Sequence, residues 1–295
     1  MLRRNTTRDR RDLEAWLSLS DPPPLFGEES VLRRVSREPV VTLGGPRALL
    51  MQIAHPSVAA GVSRHSGFRV APLSRLAATL DAMLVIVFGR PEEAQAVVRR
   101  VREKHARVRG QVGTKAYSAN DADLQLWVLA TLIDTAEVLY ERWVRPLSKE
   151  EREGLYEDWQ IVGRLFGMPA AAFPEGANGL RAYVAEMLAG PRLDVGEKAR
   201  ALAEQILRPP TPLYPGPLAN VVRALTAGLL DGRLRRDFGL PFGALQQAEF
   251  AAVDGALGTT WRHLPFVHRS MPLAWLSVRR AMGAGPATGT MKLEA

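Results

Sequence analysis

The sequence predicts an all-α protein of about ten helices in a single domain, and three observations carry that prediction. Apolar residues recur at helical spacing through most of the 295-residue chain. Proline, Ser/Thr and acidic residues stand where helices would start, and glycines where they would end. No stretch alternates apolar and polar residues convincingly enough for a strand.

The elements follow in order. The segment after Gly44 and Gly45 opens with Pro46 in a first turn and runs RALLMQIAHPSVAAGV. Pro56 within it removes a backbone donor, which predicts a kink near His55. From Pro72, PLSRLAATLDAMLVIVF is apolar almost all round, the mark of a central buried helix, and Gly89 ends it. The next helix begins with Pro91, Glu92 and Glu93 and carries basic residues in its last turns before Gly110, so both ends suit the helix dipole. A polar loop, GQVGTKAYSAND, leads to the long helix DADLQLWVLATLIDTAEVLYERWV, which Pro146 stops. Ser148 with Glu151 forms a capping box for the following helix, which ends near Gly167 and Pro169. Asp194 with Glu197 repeats that signature ahead of EKARALAEQILR. Further helices are expected at about 218–230, 245–257 and 273–282. The proline-rich LRPPTPLYPGP reads as a rigid loop within one domain, and the tail GAGPATGTMKLEA as disordered.

Composition removes whole classes of chemistry. There is no cysteine, which excludes disulfides, thiolate nucleophiles, iron–sulfur clusters, Cys-based zinc sites and thiolate-ligated haem. The formal charge of +8 comes from arginine, since there are only five lysines. These arginines are scattered over helix faces without interleaved aromatics, so a nucleic-acid partner is not expected and GC-rich codon usage is the simpler cause. The start, MLRRNTTRDRRDLEAW, lacks the apolar core of a signal peptide, and AMLVIVFG is too short to span a bilayer. A cytoplasmic protein without stable membrane insertion is the expectation; the oligomeric state is left open. The Gly44–Pro46 turn has neither a preceding strand nor the further residues of a phosphate loop, and there is no GxSxG elbow.

His105, in EKHARVRG, stands out. It shares one face with Ala94, Val98, Val101 and Val108 on a helix otherwise rich in charge. A packed core histidine is the commoner meaning of such a stripe. No second histidine lies three or four residues away, so zinc-helix patterns are missing, and one buried imidazole in a chain without cysteine suits axial haem ligation better than a multi-ligand site. His55 is in register with Met51, Val58 and Val62, and either bonds a carbonyl freed by the kink or faces a pocket. Arg75 and Thr79 lie one turn apart on the most apolar helix. An arginine there must pair, with Asp134, a haem propionate or a bound oxygen species as candidates. His65, His263 and His268 have no assignable role.

The runs GGPRALLMQIAHPSVAAGV, RLAATLDAMLVIVFG, HARVRG and YSANDADLQLWVLATLID, in that order over roughly residues 39–190, resemble the MpaB/rubber-oxygenase (latex clearing protein-like) family. The resemblance implies a globin-like helical core with haem b (iron protoporphyrin IX), O2 as co-substrate, and oxidative cleavage of carbon–carbon double bonds in isoprenoid chains. It places the proximal iron ligand at His105. The family's Arg-x-x-Lys-Thr stretch reads Arg75-Leu76-Ala77-Ala78-Thr79 here, so the arginine and threonine match while Ala78 replaces the lysine that can cap the iron. The sixth position is then open, water-filled or taken by another residue, with His55 the candidate. Asp81 does not share a face with Arg75, so it does not supply the acidic base of rubber cleavage, and polyisoprene is not the expected substrate.

The expected protein is a haem b-dependent oxygenase acting on a small or medium apolar molecule, isoprenoid-like alkenes among the candidates. Catalytic candidates are Arg75, Thr79 and His55. The cofactor set is His105, Arg75, Thr79, His55 and Arg109, with His105 the metal ligand, and Arg107 and Arg109 serving the helix C-terminus or a propionate. The expected organisation is an arm and helix over 1–38, a haem-binding core over 39–206, C-terminal helices packed on it over 207–282, and a tail over 283–295. TTWRHLPFVHRSMP is the expected lid. The alternatives are a non-enzymatic haem-binding protein (gas sensor, haem carrier or electron-transfer protein) and a helical scaffold without cofactor.

Overall fold

A computed structural model describes residues 10–65, 72–208 and 216–263; the side chains of 72–77, Arg75 among them, lie outside the described set. In chain order the elements are α1 (Arg10–Ser18), α2 (Val31–Ser36), a 3-10 turn at Pro39–Gly44, α3 (Gly45–Ile53), α4 (Pro56–His65), α5 (Pro72–Phe88) and α6 (Pro91–Arg107). A two-stranded hairpin, β1 (Arg109–Val112) and β2 (Lys115–Ser118), precedes α7 (Ala122–Trp143), α8 (Lys149–Leu165), a second 3-10 turn at Ala170–Ala172 and α9 (Gly176–Ala189). The chain continues through α10 (Glu197–Leu207), α11 (Gly216–Leu229), α12 (Gly232–Asp237) and α13 (Ala244–His263). The fold is all-α, with thirteen α-helices among the described residues. The helix expected at 273–282 and the expected tail lie outside them.

Three local expectations change. The kink at Pro56 is a full break, with α3 ending at Ile53 and α4 starting at Pro56. The expected polar loop after α6 is an antiparallel hairpin pairing Arg109 with Ser118 and Val112 with Lys115. Its two-residue turn places Gly113 at φ +57°, and Gly110 lets Tyr117 cross the pair, since a Cβ there would lie 2.6 Å from the Tyr117 hydroxyl. The capping box is present at Ser148 and Glu151, but Asp194 does not cap α10, whose N-cap is Gly196. The Asp194 N–H instead donates to Ala54 O at 2.9 Å and stitches the loop before α10 to the α3–α4 break.

Helix α7 forms the axis of the core. Trp127, Leu129, Ala130 and Ile133 are buried in its first half, against α3, α8 and α9. Its second half serves a smaller core of Val40, Leu139, Trp143 and Leu225, which Phe250, Val253, Leu257 and Trp261 of α13 cover. Gly44 has a packing role here, since a Cβ at that position would lie 2.4 Å from the Thr135 methyl of α7. One turn on, Arg47 is only 6 % exposed. Its Nε donates to Leu229 O at 2.8 Å and its Nη1 to Thr135 Oγ1 at 2.6 Å, while Nη2 forms an ion pair with Asp134 Oδ2 at 2.8 Å, off the line of a hydrogen bond.

A second polar anchor joins α2 to α8. Glu151 accepts from Arg34 at 2.7 Å and from both Nη atoms of Arg145 at 2.7 and 2.8 Å. The Arg145 bonds lead in holding its carboxyl down to about 2, from an ordinary 4.5.

Removing Arg47 leaves Asp134 and the Leu229 carbonyl without it, and Arg47→Ala is expected to lower stability by about 3–5 kcal/mol. Urea denaturation checks this, and a loss under about 1 kcal/mol would refute the anchor. Glu151 contributes stability that is fully present above pH 4.5 and is lost as the pH falls towards about 2. Melting temperatures between pH 5 and 2.5 should therefore fall less steeply for Glu151→Gln than for the parent chain; parallel slopes would count against the anchor.

Candidate functional site

Helices α5 and α6 form an antiparallel hairpin around Gly89 and Arg90. A Cβ at Gly89 would lie 2.5 Å from Val85 O, so glycine is what lets the chain turn there. The Arg90 N–H donates to Glu93 Oε2 at 2.9 Å and starts α6. The hairpin acts as a ruler. Arg75 and His105 lie almost equally far from the turn, about 20 Å along their helices at ~1.5 Å per residue. The backbone at Arg75 is therefore level with His105 on the neighbouring helix. Thr79, half-buried, lies one turn closer to the hairpin's bend, and Ala78 beside it is exposed.

The expected stripe on α6 is real but graded. Ala94 and Val98 are buried, and Val101 and His105 half-buried. The His105 Nδ1 is shielded from solvent, and the ring lies 6.1 Å from Phe166 at 54°. Phe166, the C-cap of α8, was not singled out from the sequence, because it comes from a segment sixty residues away whose only local signal is a helix end. The last turn of α6 is held by the Val108 N–H, which donates to His105 O at 3.1 Å, and by Arg109 Nε, which donates to Ala106 O at 3.1 Å. Arg109 thus meets the helix C-terminus, one of the two positions expected of it. Arg107 is exposed at the end of the same helix.

His55 belongs to a different set of neighbours. It lies in the break between α3 and α4, where the Ser57 N–H donates to its Nδ1 at 3.2 Å. The ring accepts from the backbone at Nδ1, whereas the first of the two expected alternatives had it bonding a freed carbonyl. A neutral ring that accepts at Nδ1 carries its proton on Nε2. Burial lowers the His55 pKa below 6.5, with Lys115 and Arg192 adding to the shift and Asp123 opposing it. Arg192 and Asp123 also act on Tyr183, whose hydroxyl burial pushes up to about 12. Tyr183 meets Trp127 edge-on at 6.5 Å, and Trp127 Nε1 donates to Met51 O at 3.1 Å. The hairpin tip, α9 and the start of α7 thus converge on the α3–α4 break, a grouping of distant segments that no local pattern announces.

Asp134 pairs with Arg47, which the sequence reading passed over; the side chain of Arg75, for which Asp134 was one of three candidate partners, lies outside the described set. His263 ends α13 and is exposed; the remainder of TTWRHLPFVHRSMP, including His268, lies outside the described residues. Among the described residues no helix is long and apolar enough to cross a membrane.

The family model for the catalytic domain of the ER-bound oxygenase mpaB/B'/rubber oxygenase matches residues 32–259. The chain belongs to this family. The mpaB/rubber-oxygenase match runs from α2 through most of α13, well beyond residue 190 where the sequence resemblance fades. It therefore includes the helices that cover the second core. Two relatives, uncharacterized proteins of Mycobacterium bovis and Mycobacterium tuberculosis, are each 27 % identical over 242 residues, which is 78 % of this chain and 90 % of theirs. No solved structure matches.

The His55 environment has a direct readout. An imidazole NMR titration should show His55 protonating below 6.5, with Lys115→Gln moving it part of the way back. A midpoint at or above 6.5 would refute the buried, neutral ring.

Proposed function

We propose that this mpaB/rubber-oxygenase domain is a haem b-dependent oxygenase that uses O2 on a small or medium apolar substrate, with isoprenoid-like alkenes the first class to test. The observation that carries the reading is His105, a half-buried imidazole level with the Arg75 turn in a domain whose family is an oxygenase catalytic domain.

The donor set fits the group. A porphyrin supplies four of the iron's ligands, so the protein need offer only one imidazole and apolar walls. His105 with Val101 and Phe166 offers these. Among the described residues no group of three His, Cys, Asp or Glu side chains could hold a metal by itself. The haem, when bound, supplies the oxygen chemistry.

The chain's own residues do the rest. His105 would hold the iron through a ring nitrogen. Arg109, by tying Ala106 O, steadies the turn that carries the ring, and in this reading Arg109 would also serve a propionate. Arg75 and Thr79, one turn apart on α5, provide hydrogen-bond donors for a propionate or for polar atoms of the substrate. The apolar remainder of α5, buried at Leu84, Val85 and Ile86, excludes water from the hairpin. His55, with its Nδ1 lone pair engaged by the Ser57 N–H and its proton on Nε2, would act as a hydrogen-bond donor and not as a ligand. Residues 39–206 are the haem-bearing core in this reading, 207–282 pack against it, and the protein is cytoplasmic.

Purified protein reconstituted with haemin should show a Soret band, and His105→Ala should lose it or shift it to that of an altered coordination. No band in the parent, or an unchanged band in the variant, would overturn the ligand assignment. Oxygen uptake with squalene and shorter isoprenoid alkenes separates an oxygenase from a haem carrier, and no uptake across the panel would favour the carrier. Arg75→Ala should keep the Soret band while slowing uptake about 100-fold.

A further inference from the structure

A cavity of about 280 Å3 opens between the end of α10, one face of α11 and the turn into α13. Among the described residues its lining lies between Arg208 and Glu249, with none from the α5–α6 hairpin or the His55 neighbourhood. Asn220, Arg223, Ala224 and Ala227 follow one another at helical spacing, so a single face of α11 forms its wall. Leu240 and Pro241 complete the apolar part, and Arg208 and Glu249 stand at the rim, both exposed.

Arg223 is the residue that calls for a ligand. It is half-buried, yet among the described residues its guanidinium meets no carboxylate, carbonyl or aromatic ring. Comparably half-buried arginines are used differently: Arg33 donates to Val87 O, Arg102 to Leu165 O and Arg235 to Ala227 O. Arg208 is held only loosely, 3.8 Å from Glu204. Two guanidinium groups and one carboxylate, Glu249, line the cavity, with Glu204 beside Arg208 but outside the lining. The wall itself is therefore positive and Arg223 is its uncompensated charge; a guanidinium fork matches a carboxylate through paired N–H···O bonds. The volume equals roughly nine waters at ~30 Å3 each, which sets the scale of the occupant at about ten non-hydrogen atoms.

We propose that this cavity binds a small organic carboxylate, its charge on Arg223 and Arg208 and its apolar body against Ala224, Ala227, Leu240 and Pro241. The site is independent of the oxygenase reading, and its test needs no haem.

Isothermal titration of the full chain with benzoate, at low ionic strength, should give saturable binding. Benzylamine, with the same ring and the opposite charge, should not bind, and inorganic phosphate, with the charge and no apolar body, should bind more weakly than benzoate. Arg223→Gln should weaken benzoate by about tenfold or more, Arg223→Lys by less, and Glu249→Gln should tighten it by removing a like charge. Circular dichroism and the melting temperature without ligand establish that each variant is folded. No saturable benzoate binding, unchanged affinity in folded Arg223→Gln, or weakening in Glu249→Gln would overturn the proposal. Phosphate binding as tightly as benzoate would overturn the apolar half of it. Should Arg223→Gln fail to fold, the Glu249→Gln and benzylamine arms still decide.

Discussion

A guanidinium cannot enter a protein core unless each face of its fork finds an acceptor, and Arg47 meets that demand with three acceptors on two other helices. The requirement fixes more than one side chain. Leu229 O is the last carbonyl of α11, and Thr135 and Asp134 are consecutive on α7, so the fork sets the approach of α3 to both. Gly44 brings the chain close enough for this to happen, in the half of α7 where the two cores meet. The glycine-glycine-proline turn, which superficially suggests a phosphate loop, is explained by that close approach.

The helical architecture was legible because it rests on local chemistry. Pro91 with Glu92 and Glu93, Ser148 with Glu151, and the apolar run of α5 each state an element within a few residues. The hairpin was missed because four-residue strands are too short to show a period, although Arg109, Gly110, Gln111 and Val112 do alternate between exposed and half-buried. Asp194 and Glu197 have the composition of a capping box, but the Asp194 backbone is committed to Ala54. At the candidate site, His105 was visible through its stripe, whereas Phe166, Arg47 and Tyr183 depend on which distant segments meet. The Arg47–Asp134 pair was not legible for the same reason: helical register says which face a charge occupies and nothing about what lies opposite.

The two histidines on inward faces, alike as sequence features, separate on their backbone surroundings. His105 stands at the end of a continuous helix, in a last turn secured by Val108 and Arg109. His55 stands in a helix break, where the first-turn N–H of Ser57, which has no acceptor within its own helix, claims a ring nitrogen. Chain breaks supply free donors and continuous helices do not, so the break that Pro56 creates also determines what kind of group His55 presents.

The polar clasp on α13 bears on how the chain is made. Asp254 receives the Arg142 guanidinium and the Trp143 indole N–H, the latter at 2.8 Å, and Trp261 Nε1 reaches back to Glu38 at 2.9 Å. Until α13 arrives, Leu139, Trp143 and Leu225 have no cover from Phe250, Val253, Leu257 and Trp261. A chain emerging from the ribosome carries the apolar face of α7 uncovered from Trp143 until Phe250 is made, about a hundred residues later, with its first core already able to form. The interval between those two events is when a chaperone has something to hold.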